Sequence, residues 1–217
     1  MKKDITEVVF ILDKSGSMGG LEKDTIGGYN SMLNEQKALE GECNITTLLF
    51  DHEFELLHDR IDVKEVKPLT DKDYRVGGCT ALLDAMGKAI KRVSKHQKKA
   101  DDSSKADKVI FIIITDGEEN SSRKYSVEKI RSMVEKKKSE LGWEFIFLGA
   151  NIDAIQTAAN YGISADRAQD FHADKKGVKL SFHVMSGAIS ELRKGSGLSD
   201  NWKKEIKSDF ESRDVKS

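Results

Sequence analysis

Apolar residues in this chain fall into short, dense blocks separated by longer stretches of helical spacing. Val8–Leu12 is uninterrupted and β-rich, and it ends abruptly at Asp13. A run without polar alternation reads as a strand buried on both faces, as in a parallel sheet. Val109–Ile114 is the most emphatic such run and stops at Thr115-Asp116-Gly117. Ile45–Phe50 and Trp143–Leu148 predict two further strands, and Ala168–Ala173 a short edge strand. Glu53–Leu57 with Arg60–Val66 predicts a hairpin partner and an edge.

Between these blocks the apolar positions recur every three to four residues, the period of a helix with one buried face. Leu21, Thr25, Tyr29, Met32 and Leu33 predict a helix to about Leu39. Leu82, Leu83, Met86, Ile90 and Val93 predict a second, and Val127, Ile130, Val134 and Leu141 a third. Ala154–Tyr161 is a short helix with Gly162 placed to end it. Val178–Leu192 closes the main body. Asp71–Thr80 reads as a polar loop and Gln97–Asp107 as an exposed connector.

Strands alternating with helices predict an α/β fold: a doubly wound, mostly parallel central sheet with helices on both faces, Rossmann-like in layout. One domain is expected over residues 1–194. Residues 195–217 are expected to form a flexible linker through Gly195-Ser196-Gly197 and a terminal helix capped by Ser199. That helix carries a thin stripe of Trp202, Ile206 and Phe210, expected to pack back on the domain.

Composition narrows the function classes. The 217 residues are 38% hydrophobic and 34% charged, with a formal net charge of −1. A dedicated nucleic-acid binder carries a basic excess, so no nucleic-acid partner is expected. The lysine-rich stretches Lys95–Lys99 and Lys136–Lys138 read as solvated helix faces. No stretch approaches the ~20 apolar residues of a membrane span, and Val8–Leu12 is too short for a signal segment. A cytoplasmic, reducing location is the expectation, with no membrane partner. Cys43 and Cys79 are then expected as buried thiols rather than a disulfide.

The candidate chemistry lies at the ends of the strands. In a doubly wound sheet, ligands sit beyond the carboxyl ends of the strands. Asp13-x-Ser15-x-Ser17 follows the first strand, Asp116-Gly117 follows the central one, and Thr80 ends the loop entering the second helix. If the first and central strands are neighbours, these clusters meet. Two carboxylates and three hydroxyls form an oxygen-only set suited to Mg²⁺; Mn²⁺ and Ca²⁺ accept the same donors. The absence of His and Cys ligands disfavours zinc. His52, His58, His96, His172 and His183 are scattered and suggest no catalytic dyad.

Asp13-Lys14-Ser15-Gly16-Ser17 resembles the Asp-x-Ser-x-Ser signature of the von Willebrand factor A (vWA) family, whose metal ion-dependent adhesion site it forms. Gly77-Gly78-Cys79-Thr80 is similar to that family's threonine loop, and Thr115-Asp116-Gly117 to its Thr-Asp-Gly segment. The resemblance covers roughly residues 5 to 192 and points to the intracellular bacterial or phage type. It implies that Ser15, Ser17 and Thr80 ligate the metal directly or nearly so, with Asp13 and Asp116 acting directly or through water. It also implies a protein partner that presents an Asp or Glu to the metal, and movement of the last helix of the domain on binding. Gly78, Cys79, Glu118 and Glu119 flank the cluster as candidate partner contacts. Glu118, Glu119 and Asn120 either strengthen cation attraction or form a solvated turn. The expected function is a metal-dependent protein-interaction module, not an enzyme. The alternatives are a metal-assisted phosphoester hydrolase, or an accessory subunit of an ATPase or stress-response assembly.

Overall fold

The structure is a computed structural model that describes residues 4–214. Six strands form one sheet: β1 (Ile5–Asp13), β2 (Glu42–Phe50), β3 (Phe54–Asp62), β4 (Lys108–Thr115), β5 (Glu144–Gly149) and β6 (Ala168–Asp170). Their order is β3-β2-β1-β4-β5-β6. All neighbours are parallel except β2 and β3, which pair antiparallel at one edge. Strand order runs outward in both directions from the β1–β4 pair, so the winding reverses there.

Six helices cover the sheet: α1 (Glu22–Lys37), α2 (Leu82–Lys99), α3 (Val127–Leu141), α4 (Ala154–Asn160), α5 (Lys175–Arg193) and α6 (Lys204–Asp214). Alternation along β1 divides the core into two layers. Val8, Phe10 and Leu12 face α1, α5 and α6 through Tyr29, Phe182 and Ile206. Val9 and Ile11 face α2, α3 and α4 through Met86, Ile130 and Ala158. Every residue of β1 is buried, which explains its unbroken apolar pattern.

The parallel register aligns the carboxyl ends of the strands. Asp13 lies opposite Phe50, Leu12 opposite Ile114, and Thr115 opposite Gly149. The loops leaving β1 and β4 therefore emerge side by side. The long segment between β3 and α2 crosses this same edge, anchored in the α1/α5 layer by Val63, Val66, Leu69 and Tyr74.

Three expectations change. The two pieces predicted around residues 53–66 form one strand, β3, whose pairing with β2 slips near Thr47. Arg60 adopts a positive φ of 53° in that strand, which breaks the pattern that sequence reading relies on. The connector predicted from Gln97 begins later, because α2 runs to Lys99 and Gln97 is buried. Its amide donates to Oε2 of Glu7 at 2.8 Å, an interaction no local pattern signals. Cys43 is a buried thiol, pushed up to about 11 by burial, but Cys79 is exposed. The terminal stripe does pack back: Trp202 and Ile206 join the core, and Phe210 stacks on His172 at 4.7 Å between ring centroids.

Candidate metal centre

The centre is assembled from three loops at the carboxyl edge of the sheet. The first leaves β1 at Asp13. Asp13 Oδ1 accepts from the backbone N–H of Ser15 at 2.7 Å, curling the loop back on itself. Oδ2 accepts from the hydroxyl of Thr115, at the end of β4, at 2.6 Å. One buried carboxylate thus joins the first loop to the neighbouring strand. From the other side, the buried hydroxyl of Tyr74 donates to the Asp13 carbonyl.

The second loop approaches the first along its backbone. Gly16 N–H donates to Gly78 O at 3.1 Å, and Gly77 N–H to Lys14 O at 2.9 Å. A side chain on Gly16 would come within 3.3 Å of that same carbonyl. Gly78 has a φ of +73°, and a β-carbon there would collide with the ring of His52 at 2.1 Å. The positive φ is what favours glycine at Gly78. This pairing delivers Thr80, buried, beside the first loop.

The third loop leaves β4 at Asp116. The Ser17 hydroxyl donates to Asp116 Oδ1 at 2.6 Å, and the Ser15 and Ser17 hydroxyls lie 3.1 Å apart. Gly117 opens the space between them. A β-carbon on Gly117 would sit 3.3 Å from Ser17 Oγ and 3.6 Å from Thr80 Oγ1. These two hydroxyls from different loops therefore flank one point. The structure brings all five predicted ligands, Asp13, Ser15, Ser17, Thr80 and Asp116, to one crevice.

The electrostatics of the crevice are unbalanced. Burial pushes both carboxyl groups above their usual range. Asp116 is raised to about 6, with the neighbouring Asp13 charge adding to the effect. Among the described residues, no Lys, Arg or His forms an ion pair with either. Asp116 Oδ2 is buried without a hydrogen-bond partner. An unpaired buried carboxylate oxygen is costly unless something cationic meets it. Among the described residues, no group of three His, Cys, Asp or Glu side chains gathers to hold a metal. A cation here would depend on the hydroxyls, and the donor set fits a hard, oxygen-preferring ion.

The flanking candidates divide. Gly78, Cys79 and Glu118 are exposed around the crevice. Glu119 turns inward: it accepts from the N–H groups of Leu83, Ser121 and Ser122 at 2.9, 3.0 and 2.7 Å. It thereby satisfies a free N–H in the first turn of α2 and shapes the third loop. Asn120 has a role that sequence reading left open. Its side-chain oxygen accepts from Thr80 N–H at 2.9 Å, while its own N–H donates to Thr80 O at 3.0 Å. This two-way latch fixes the threonine loop against the aspartate loop. Asp84 adds a second clasp, accepting from the N–H groups of Lys124 and Tyr125 at 2.8 and 3.1 Å. Neither latch has a sequence signature, since each joins positions about forty residues apart.

No family model matches the sequence, and no curated protein sequence matches it. Solved structures do match in fold. The PilB minor pilin from Streptococcus sanguinis aligns at a TM-score of 0.61 and 10% identity, covering 87% of this chain and 62% of that one. A von Willebrand factor type A protein from Catenulispora acidiphila aligns at 0.56 and 13% identity, covering 86% and 42%. The manganese-loaded TRAP protein of Plasmodium vivax aligns at 0.52 and 16% identity, covering 82% and 73%. The chain thus spans less than two thirds of the first two. At these identities the likeness shows the fold, which is vWA-like and Rossmann-like.

Proposed function

We propose that this chain is a protein-interaction module whose crevice holds a divalent cation, Mg²⁺ by preference, with Mn²⁺ or Ca²⁺ as possible substitutes. Ser15, Ser17 and Thr80 would hold it together with Asp13 and Asp116. The observation that carries the reading is the buried, unpartnered Oδ2 of Asp116 beside hydroxyls from two other loops. Bound there, the cation would have its charge balanced by Asp13 and Asp116, and it would be free to take one further oxygen ligand from outside the chain. The complementary ligand is an Asp or Glu side chain of a partner protein.

The chain's own residues supply the rest. Asp13 orients the first loop and Thr115, and Asn120 sets the position of Thr80. Ser17, Gly78, Cys79 and Glu118 form the exposed rim a partner would meet. In this reading the chain binds rather than catalyses. A cytoplasmic site of action belongs to the same proposal. Among the described residues, no helix is long and apolar enough to cross a membrane.

The test is capture of partners on immobilised protein in Mg²⁺ and in EDTA. The expected result is a set of proteins retained only with Mg²⁺ and lost on Asp116→Ala. Retention that ignores both EDTA and the substitution would contradict the proposal.

A further inference from the structure

Helix α2 carries a second built surface, apart from the crevice. From sequence, Lys95–Lys99 reads as a solvated helix face. In the fold, cations gather from a longer stretch onto one side. Lys88, Lys91, Arg92, Lys95, His96 and Lys99 recur at spacings of three and four, so they share one flank of the helix. They line an open groove of about 660 Å³ together with Phe54 and Tyr125. The stripe is about 16 Å long at the helical rise.

The groove walls are fixed rather than incidental. Lys88 Nζ lies 4.8 Å from the centroid of the Phe54 ring, and Lys91 Nζ 5.0 Å from that of Tyr125. Tyr125 lies across α2 at Gly87, where a β-carbon would come within 2.5 Å of the ring. Asp84 holds the Tyr125 backbone in place. Arg92 is neutralised by Asp59, its Nε donating to Oδ1 at 2.9 Å. Among the described residues, Lys88, Lys91, Lys95 and Lys99 form no ion pair with a carboxylate. Like charges at this spacing repel one another along a helix, and the groove concentrates them.

We infer that this groove binds a short acidic polypeptide segment. Charge complementarity carries the inference: four unpaired lysines stand in line beside two fixed rings. The chain as a whole has a net charge of −1. Positive charge is therefore concentrated in the stripe rather than spread over the molecule, so a short acidic segment meets all of it and a longer polyanion gains nothing more. The features also argue against single-stranded nucleic acid. Both rings already carry an ammonium over a face, which leaves them poor platforms for base stacking. The one guanidinium is engaged by Asp59, so no free planar fork faces a phosphate. The groove uses none of the crevice residues, so the inference stands apart from the cation reading.

The test is fluorescence anisotropy in EDTA. An extended segment of about five residues spans the stripe, so the probe is a labelled oligoglutamate of about twice that length. Binding is expected, weakening as salt rises. It should be undiminished in Asp116→Ala, which separates this outcome from failure of the cation proposal. Combined Lys91→Glu, Lys95→Glu and Lys99→Glu should weaken it about tenfold or more. These side chains are exposed, and an unchanged melting profile checks that the fold survives. Combined Lys72→Glu, Lys105→Glu and Lys194→Glu, exposed elsewhere, should change it by no more than about twofold. Three results would overturn the inference: no binding, equal loss in both triple variants, or tighter binding of an oligothymidylate of equal length.

Discussion

The Ser17 hydroxyl donates to Oδ1 of Asp116 at 2.6 Å, bridging 99 positions of sequence, while the second oxygen of that carboxylate is buried without a partner. The bond fixes where the carboxylate points. The orphaned oxygen is the one the proposed cation would meet. A side chain built only for stability would have both oxygens satisfied, as Glu119 does. The centre therefore combines rigid positioning with an unmet demand for positive charge.

The space beside Asp116 depends on Gly117. A methyl group there would press within 3.3 Å of Ser17 Oγ and also approach Thr80 Oγ1. Gly117→Ala should cost no more than about 1 kcal/mol of folding stability. It should weaken Mn²⁺ binding about tenfold, because the methyl group would occupy the space between the two hydroxyls and push Ser17 Oγ aside. Calorimetric titration with Mn²⁺, alongside thermal unfolding, separates the two effects.

Asn120 touches the threonine loop without joining the cluster of five. Asn120→Ala should lower Mn²⁺ affinity about tenfold, the usual effect of removing a group that orients a ligand. The unfolding free energy should fall by only about 1 kcal/mol. An affinity equal to that of the unsubstituted protein would show that Thr80 holds its place without the latch.

Tyr74 supports the first loop from below. Tyr74→Phe keeps the ring in the core but leaves the buried Asp13 carbonyl without its donor. The expected cost is about 1–3 kcal/mol in denaturant unfolding. A change within error would mean that the carbonyl finds another donor.

Glu7 is buried far from the crevice, near the amino end of β1. Burial raises its carboxyl group above the usual 4.5, against opposing contributions from Arg60, Gln97 and Thr46. A raised native value means the folded chain binds this proton more tightly than the unfolded chain. Its contribution to stability therefore grows as pH falls through the native value towards 4.5, and diminishes as pH rises. Glu7→Gln should flatten the stability profile above pH 4.5, as followed by denaturant unfolding across pH. An unaltered slope would assign the dependence to other groups.

Much of the frame is legible in the sequence because burial on both faces leaves a plain signature. Val8–Leu12 and Val109–Ile114 read directly as central strands, and the clusters after them point to one edge. What sequence could not show depends on tertiary partners. Tyr74 sits in a segment polar enough to read as a loop, yet packing beneath Asp13 buries it. Cys79 looks like a small buried filler, but beside the paired Gly77 and Gly78 it is exposed. Glu119 and Asn120 read as an acidic turn until α2 and Thr80 supply their partners. The α2 stripe is visible as spacing alone, and only Phe54 and Tyr125 make it a groove.

The central claim is that five oxygen-bearing residues hold one divalent cation. Electron paramagnetic resonance titration of chelator-stripped protein with Mn²⁺ tests it most directly, by counting free against bound ion. The account predicts one bound Mn²⁺ per chain, displaced by Mg²⁺ and lost in Asp13→Ala and Asp116→Ala. Free Mn²⁺ throughout the titration, or binding that both substitutions leave intact, would contradict it.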